Sequence, residues 1–494
     1  MSDRALRTAL AGVSLLALAT FLGVALARLG HPFELEWIEG GMREVVRRVL
    51  AGKPLYAAPS LEYVPFLYPP LYYHAAALVA RVTGEGFAAL RLVSLVSTLA
   101  SFVLIARLAN RGGAKPAAGL FAAGLFAASY AKGGAWLDLG RVDALFLVLT
   151  LGAIATLGSG RPGFARGAAA GALFALACLT KQPAALVALP FAAVLAFEDR
   201  RGLAGLAVVF ALVAGGVYLA LDRASSGWYA FYVFELPRAH RIEPRAVMGF
   251  WLNDLLAPFA IAIAFAVARL LPPARTTPRG GMPAVRLDRF DLALAGGLVG
   301  AGWVSRMHEG GAENVLLPAH AAVAILGARG LVWITGRASQ PATAWKRLAL
   351  ALALVQFAVL AYNPFRYVPG HADAEAGAAL VDRIRALPGD VWSPAHGYLA
   401  TLAGKESHAH LMAVIDVLRA APRTRPVRLQ EEIEQAFAAR RFSALVLDDN
   451  QAFELHLGGL YRPAGRLFEP GDRTFLPRSG APLRPQTLWL PEPR

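Results

Sequence analysis

Five short segments of this chain carry residues suited to chemistry. The first is FELEWIEGG, residues 33–41, where Glu36 and Glu39 stand three apart just past an apolar run. Carboxylates there suit a helix start, because the N-terminal dipole favours negative charge. They are equally suited to take a proton from a hydroxyl. The second is LDLGRVD, 137–143, with Asp138, Arg141 and Asp143. Asp143 opens an apolar run, where an ionisable group is costly unless paired or used. The bland reading makes Asp143 a cap and Asp138–Arg141 a surface ion pair. The third is Lys181 in LTKQP. Between two short apolar segments it has little room to snorkel, so it either reaches a phosphate or rests at the interface. The fourth is a basic set, Arg238, His240, Arg241 and Arg245 with Arg306 and His308, a cluster that suits an anionic ligand. The fifth is His408 and His410 in HAH. No cysteine or clear carboxylate partner accompanies them, so they read as structural rather than zinc-binding. No Walker loop, dinucleotide fingerprint or zinc motif occurs, and no cofactor is expected; a divalent metal is not indicated.

The elements that must position these residues are mostly apolar helices. The 494 residues are 56% hydrophobic and 17% charged, against roughly 25% charged in soluble proteins. Apolar runs cover about 9–29, 87–109, 116–131, 142–158, 166–180, 183–197, 203–221, 251–271, 290–304, 315–333 and 347–362. A spanning helix needs about 20 such residues, so these eleven runs are expected to cross a bilayer. No such run follows residue 362. The chain therefore divides into a transmembrane domain, 1–362, and a soluble α/β domain, 363–494. In the latter, Leu380, Ile384 and Leu387 mark one helix over 373–387, and Leu429, Ile433 and Phe437 mark another over 427–440. DVWSPA and SALVLDD read as short buried strands. The first run lacks a cleavage site and is read as an uncleaved helix. Cys178, the single cysteine, reads as a small buried hydrophobe.

The net charge of +15 does not point to nucleic acid, because most basic residues lie between spans. Arg4, Arg7, Arg107, Arg111, Lys115, Arg161, Arg166, Arg200, Arg201, Arg275, Arg279, Arg286, Arg289, Arg337, Lys346 and Arg347 fall in alternate loops. The positive-inside rule then puts the N-terminus in the cytoplasm and the tail outside a plasma (inner) membrane. All five chemical segments share the tail's side. The first outer loop, 30–86, is expected to hold two interfacial helices. Residues 39–51 place Met42, Val45, Val46, Val49 and Leu50 on one face and Arg43, Glu44, Arg47 and Arg48 on the other. Pro70 suits the first turn of the second.

Five motifs occur in an order that resembles the GT-C superfamily of membrane glycosyltransferases. That superfamily includes family-39-like bacterial enzymes, the protein O-mannosyltransferases and the lipid A aminoarabinose transferase. The motifs are EWIEGGMREVVRRVLAGKPLY, FLYPPLYY, LDLGRVDALFLVL, LTKQPAAL and GGAENVLLPAHAA, and the resemblance covers roughly residues 1–330. It implies a sugar donor linked to a polyprenyl phosphate and a lipid, glycan or protein acceptor. It also implies inversion at the anomeric carbon, with a first-loop carboxylate as general base. Family members carry Asp there; this chain has Glu36 and Glu39, Glu39 standing nearer the family position and the choice left open. The resemblance gives Asp138 and Asp143 to substrate positioning. Lys181, Arg141, Arg238, His240, Arg241, Arg306 and His308 would hold the phosphate, and Tyr68, Tyr72 and Asn314 would line the pocket. Two other functions compete. A transporter or flippase of polyprenyl-linked lipids would carry charges mid-span and internal repeats, and neither is found. A non-catalytic sensor subunit would lack a large cavity at the outer surface.

Overall fold

The computed structural model describes residues 2–112, 116–270, 288–336, 343–424, 427–448 and 457–493. Lys115, Arg275, Arg279, Arg286 and Arg337 of the basic loops, and the final Asp449 of SALVLDD, lie outside them.

Every apolar run folds as helix. The chain opens with α1 (Asp3–Leu29), and the first loop holds α2 (Glu39–Leu50) and α3 (Leu71–Thr83). Then follow α4 (Phe87–Ala109), α5 (Pro116–Ala128), α6 (Asp143–Leu157), α7 (Phe164–Cys178) and α8 (Ala184–Glu198). Further apolar helices occupy Arg200–Ala224, Pro244–Ala268, Arg289–Met307, Glu313–Gly336 and Ala344–Arg366. Six of the described helices are long and apolar enough to cross a membrane, and the protein is a multi-pass membrane protein. By contrast, α5 to α8 have only 13 to 15 residues. At 1.5 Å per residue that is about 20–23 Å, short of the ≈ 30 Å hydrocarbon core.

The helix starts obey local chemistry. Ser2 caps α1 by accepting from the Ala5 N–H, and Asp199 caps the Arg200 helix by accepting from Gly202. Pro70 immediately precedes α3. The amphipathic pattern of 39–51 yields α2, and part of its polar face is covered as well as its apolar one. Met42, Val45 and Val46 are buried, and so is Arg43 on the polar face. Arg43 donates from Nε to the Glu85 carbonyl at 3.1 Å and from Nη1 to Thr401 Oγ1 at 3.0 Å. The polar side of α2 therefore meets the tail at Arg43, while Arg47 and Arg48 stay partly exposed.

The tail holds helices His371–Ala386, Leu411–Thr424 and Leu429–Ala438 and a four-stranded sheet. The strands are β1 (Val391–Trp392), β2 (Ala444–Leu447), β3 (Tyr461–Arg466) and β4 (Thr487–Pro491), in the order β1-β2-β4-β3. β1 and β2 run parallel, while β4 is antiparallel to both β2 and β3. The strands expected at DVWSPA and SALVLDD are β1 and β2; the sequence reading did not anticipate β3 and β4. One apolar cluster joins the tail to the first loop, with Met42, Val45, Tyr72 and Val142 alongside Trp392, Val414 and Phe437.

The helix that delivers Lys181 is α7, and small residues fix its seat. A Cβ on Gly167 would meet the Gly202 carbonyl at 1.8 Å, and one on Gly171 the Leu206 carbonyl at 2.5 Å. From the other helix, a Cβ on Gly205 would meet the Phe164 carbonyl at 2.1 Å. This is the close backbone approach that small residues allow between membrane helices. Gly205→Leu is therefore expected to cost about 3 kcal/mol by overpacking. Thermal unfolding of detergent-purified protein reads this as a lowered midpoint. Gly216→Leu, whose position has no neighbour within 4 Å, should leave the midpoint unchanged.

Candidate functional site

The first loop is pinned by Glu39. Its Oε1 accepts from Arg91 Nε at 2.9 Å and the Gly140 N–H at 2.7 Å. Its Oε2 accepts from Arg91 Nη2 at 2.7 Å and the Leu35 N–H at 2.8 Å. Arg91, on α4, spends its remaining donors on the carbonyls of Arg28, His31 and Phe33. One guanidinium thus ties the end of α1 and the start of α2 to α4. Burial would raise the Glu39 carboxyl, but the charge of Arg91 and the backbone donors outweigh it and hold it below the usual range. Fully buried and accepting four hydrogen bonds, Glu39 offers no free lone pair to a substrate.

Glu36 is different. Its Oε2 accepts from Arg141 Nη1, while its Oε1 is buried and has no partner. Burial pushes its proton affinity above that of an ordinary carboxylate, against the pull of Arg141 and the Ile38 N–H. Arg141 also donates to Tyr68 Oη at 2.9 Å and lies 4.9 Å from the Trp136 ring centre. Gly480 of the tail covers the idle oxygen. It adopts φ +66°, and a Cβ there would stand 3.0 Å from Glu36 Cγ. Only glycine takes that backbone conformation without strain.

A second half-satisfied acid lies at the start of α6. Lys181 Nζ is 2.5 Å from Asp143 Oδ1, and Asn314 Nδ2 donates to the same oxygen at 3.0 Å. Asp143 Oδ2 is buried without a partner. The turn that presents Lys181 is itself held, since the Leu71 N–H donates to the Leu179 carbonyl at 2.9 Å. Gln182 Nε2 also donates to the carbonyls of Leu67 and Val233. Arg141 and Asp143 are two residues apart, so the two clusters adjoin.

Other expected residues go elsewhere. The surface pair Asp138–Arg141 does not form; the segment 135–143 is buried, and each residue takes a different partner. Asp138 pairs with Arg28 at 3.2 Å and accepts from Tyr130 at 2.8 Å. Tyr72 is fully buried with its hydroxyl on the Leu90 carbonyl, a core position rather than a pocket wall. Of the basic set, Arg306 pairs with Asp254 at 2.9 Å and His240 with Asp416 of the tail at 3.1 Å. Ile242 bridges to His308. Arg238, Arg241 and Arg245 are exposed. His410 stacks near Trp37 and Phe66 and shares a hydrogen bond with the Trp37 carbonyl at 3.2 Å.

Three residues escaped the sequence reading. Glu34 accepts from the Gly40 N–H at 3.2 Å and from His396 Nδ1. His396 Nε2 reaches Asp448 at 3.1 Å. His396 follows β1 and Asp448 follows β2, so both stand at the carboxyl end of the parallel pair, where open α/β sheets put their sites. Burial raises the Glu34 carboxyl to about 7 even against His396. Burial also disfavours the imidazolium, yet Asp448 and Glu34 outweigh it and raise His396 to about 10. A charged histidine between two carboxylates thus clamps the tail onto the first loop.

Comparison with known proteins agrees with this architecture. Residues 68–222 match the family model of dolichyl-phosphate-mannose-protein mannosyltransferase. No curated protein sequence matches the chain. Among solved structures, ArnT from Cupriavidus metallidurans in the apo state is similar over 97% of both chains, at TM-score 0.62 and 14% identity. The same protein bound to undecaprenyl phosphate gives TM-score 0.61 at 14% identity, over 97% of this chain and 98% of that one. Over nearly its whole length the chain shares the fold of ArnT.

Two outcomes follow from the ion pairs. Arg91→Leu strands a buried carboxylate and is expected to cost about 3–5 kcal/mol, read as a lost or sharply lowered unfolding transition; the milder Glu39→Gln should lose less. The clamp also has a pH signature. His396 holds a proton when folded up to about 10, while unfolded histidine releases it near 6.5. Its stabilisation is therefore complete below pH 6.5 and lost as pH rises toward 10. Glu34, raised to about 7, acts in the same sense at lower pH. Melting curves from pH 6.5 to 9.5 should fall steeply for the wild type and more gently for His396→Gln. Equal slopes would refute the clamp.

Proposed function

We propose that the protein is an inverting glycosyltransferase, moving a sugar from a polyprenyl phosphate to a hydroxyl acceptor outside the plasma (inner) membrane. In this reading all eleven apolar helices span, the short α5 to α8 by local thinning of the bilayer, the N-terminus is cytoplasmic, and residues 363–494 form an extracytoplasmic domain. The match to a mannosyltransferase model and the fold shared with an undecaprenyl-phosphate-bound ArnT support it. The observation that carries the mechanism is the idle Oε1 of Glu36 beside Arg141, next to the Lys181–Asp143–Asn314 cluster.

The roles follow from what each group has free. Glu36 is the general base, its burial holding its proton affinity above the ordinary value. The acceptor oxygen attacks the anomeric carbon as its proton passes to Glu36 Oε1. The bond from that carbon to the phosphate oxygen breaks on the opposite side, which gives inversion. Lys181 and Arg141 stabilise the negative charge that gathers on the departing polyprenyl phosphate. Asp143 and Asn314 position Lys181, and Glu39 positions the loop. Acceptor access to Glu36 requires the segment around Gly480 to move aside.

Purified protein in nanodiscs, supplied with radiolabelled polyprenyl-phosphate sugars, tests this reading. Glu36→Gln should cut transfer by about 10²–10⁴-fold with expression intact. Lys181→Met should cut it by about 10²-fold. Transfer retained in Glu36→Gln, or lost only in Glu39→Gln, overturns the assignment.

A further inference from the structure

On the other side of α2 from Glu39 lies a cavity of about 520 Å³, within the ~300–1,000 Å³ typical of small-molecule sites. Its walls are α2, the loop after it, and the tail segments around Asp390 and 406–410. The charges on those walls cancel. Arg47 pairs with Glu44 at 2.8 Å, and Arg441 pairs with Glu62 at 2.8 Å with Asp390 3.9 Å away. Arg48 stacks 3.8 Å over the Tyr63 ring and donates to the Pro54 carbonyl. Lys53 and Glu406, both exposed, add one charge of each sign.

One side chain in this wall makes no hydrogen bond. His408 is 6% exposed, and neither ring nitrogen has a hydrogen-bond partner. The nearest carboxylate oxygen, on Asp390, is 3.6 Å from Nε2. A buried polar group left so costs about 1–3 kcal/mol. Both nitrogens are buried, so the ring must turn for a ligand atom that donates or accepts to meet this need.

Balanced charge gives a phosphate no net field to bind into. It does offer alternating carboxylate acceptors and guanidinium donors, with aromatic rings of Tyr63 and Phe66 alongside. That combination suits a neutral ligand dense in hydroxyl groups. We propose that this cavity, between α2 and the tail around His408, binds a neutral carbohydrate, the glycan part of the acceptor. The inference rests on the glycosyltransferase reading and names its acceptor class. The cavity is close to the candidate site, since Gly41 lines it and the neighbouring Gly40 N–H bonds Glu34.

Saturation-transfer NMR on the full chain in nanodiscs tests it, with mannotriose, chitotriose and arabinotriose as probes and undecaprenyl phosphate as a separate arm. At least one trisaccharide should bind the wild type. His408→Phe, which removes the ring nitrogens, and Ser407→Trp, which fills the cavity from a partly exposed position, should each weaken it by about tenfold or more. Undecaprenyl phosphate binding should not change. The proposal fails if no trisaccharide binds, if both variants bind the sugar as the wild type does, or if the variants lose undecaprenyl phosphate instead. Failure of the parent reading looks different: the wild type consumes no polyprenyl-phosphate sugar, whatever it binds.

Discussion

A carboxylate buried away from water needs a counter-charge, and this requirement organises the end of the molecule that meets the tail. Removing one partner from such a pair is far more damaging than the pair is stabilising. Four buried acids meet the requirement with four cations from distant parts of the chain: Glu39 with Arg91, Glu36 with Arg141, Asp138 with Arg28, and Asp143 with Lys181. Each pair joins elements that share no sequence proximity. Together they bring the end of α1, the first loop, the start of α4, the 135–143 segment and the turn after α7 into one assembly.

The same accounting separates scaffold from chemistry. Glu39 accepts from four donors and is held below the usual carboxylate range, so its proton affinity is too low and its lone pairs too occupied for a base. Glu36 and Asp143 each keep one buried oxygen without a partner. Groups left half-satisfied within an otherwise well-bonded shell are where function is expected to reside. The tail takes part in this division. His396 grips Glu34 two residues before Glu36, and Gly480 closes over Glu36 itself. In this account the tail is a wall of the site as well as an appended domain.

Much of the scaffold was legible in the sequence because it rests on local patterns. Eleven apolar runs gave eleven helices, the 39–51 amphipathic pattern gave α2, and Pro70 marked the start of α3. The tail's parallel strands were visible in DVWSPA and SALVLDD. Pairings were not legible. Arg91 and Arg28 sit in apolar runs, where their type alone hints at a partner but not which one. His396 meets Glu34 across 362 positions, and no local spacing encodes that. For the same reason Asp138 and Arg141 read as neighbours on a surface, whereas burial sent them to different partners. The polar face of α2 read as water-facing because the tail that partly covers it lies hundreds of residues away.

The central claim is that chemistry occurs between Glu36 and Lys181 rather than at the basic set around Arg238 and Arg241. Cryo-electron microscopy of the full chain in nanodiscs with undecaprenyl phosphate tests it most directly. The account predicts phosphate density against Lys181 and Arg141, with Glu36 Oε1 facing the vacant sugar position. Phosphate density at Arg238 and Arg241, or in the cavity beside His408, would contradict it.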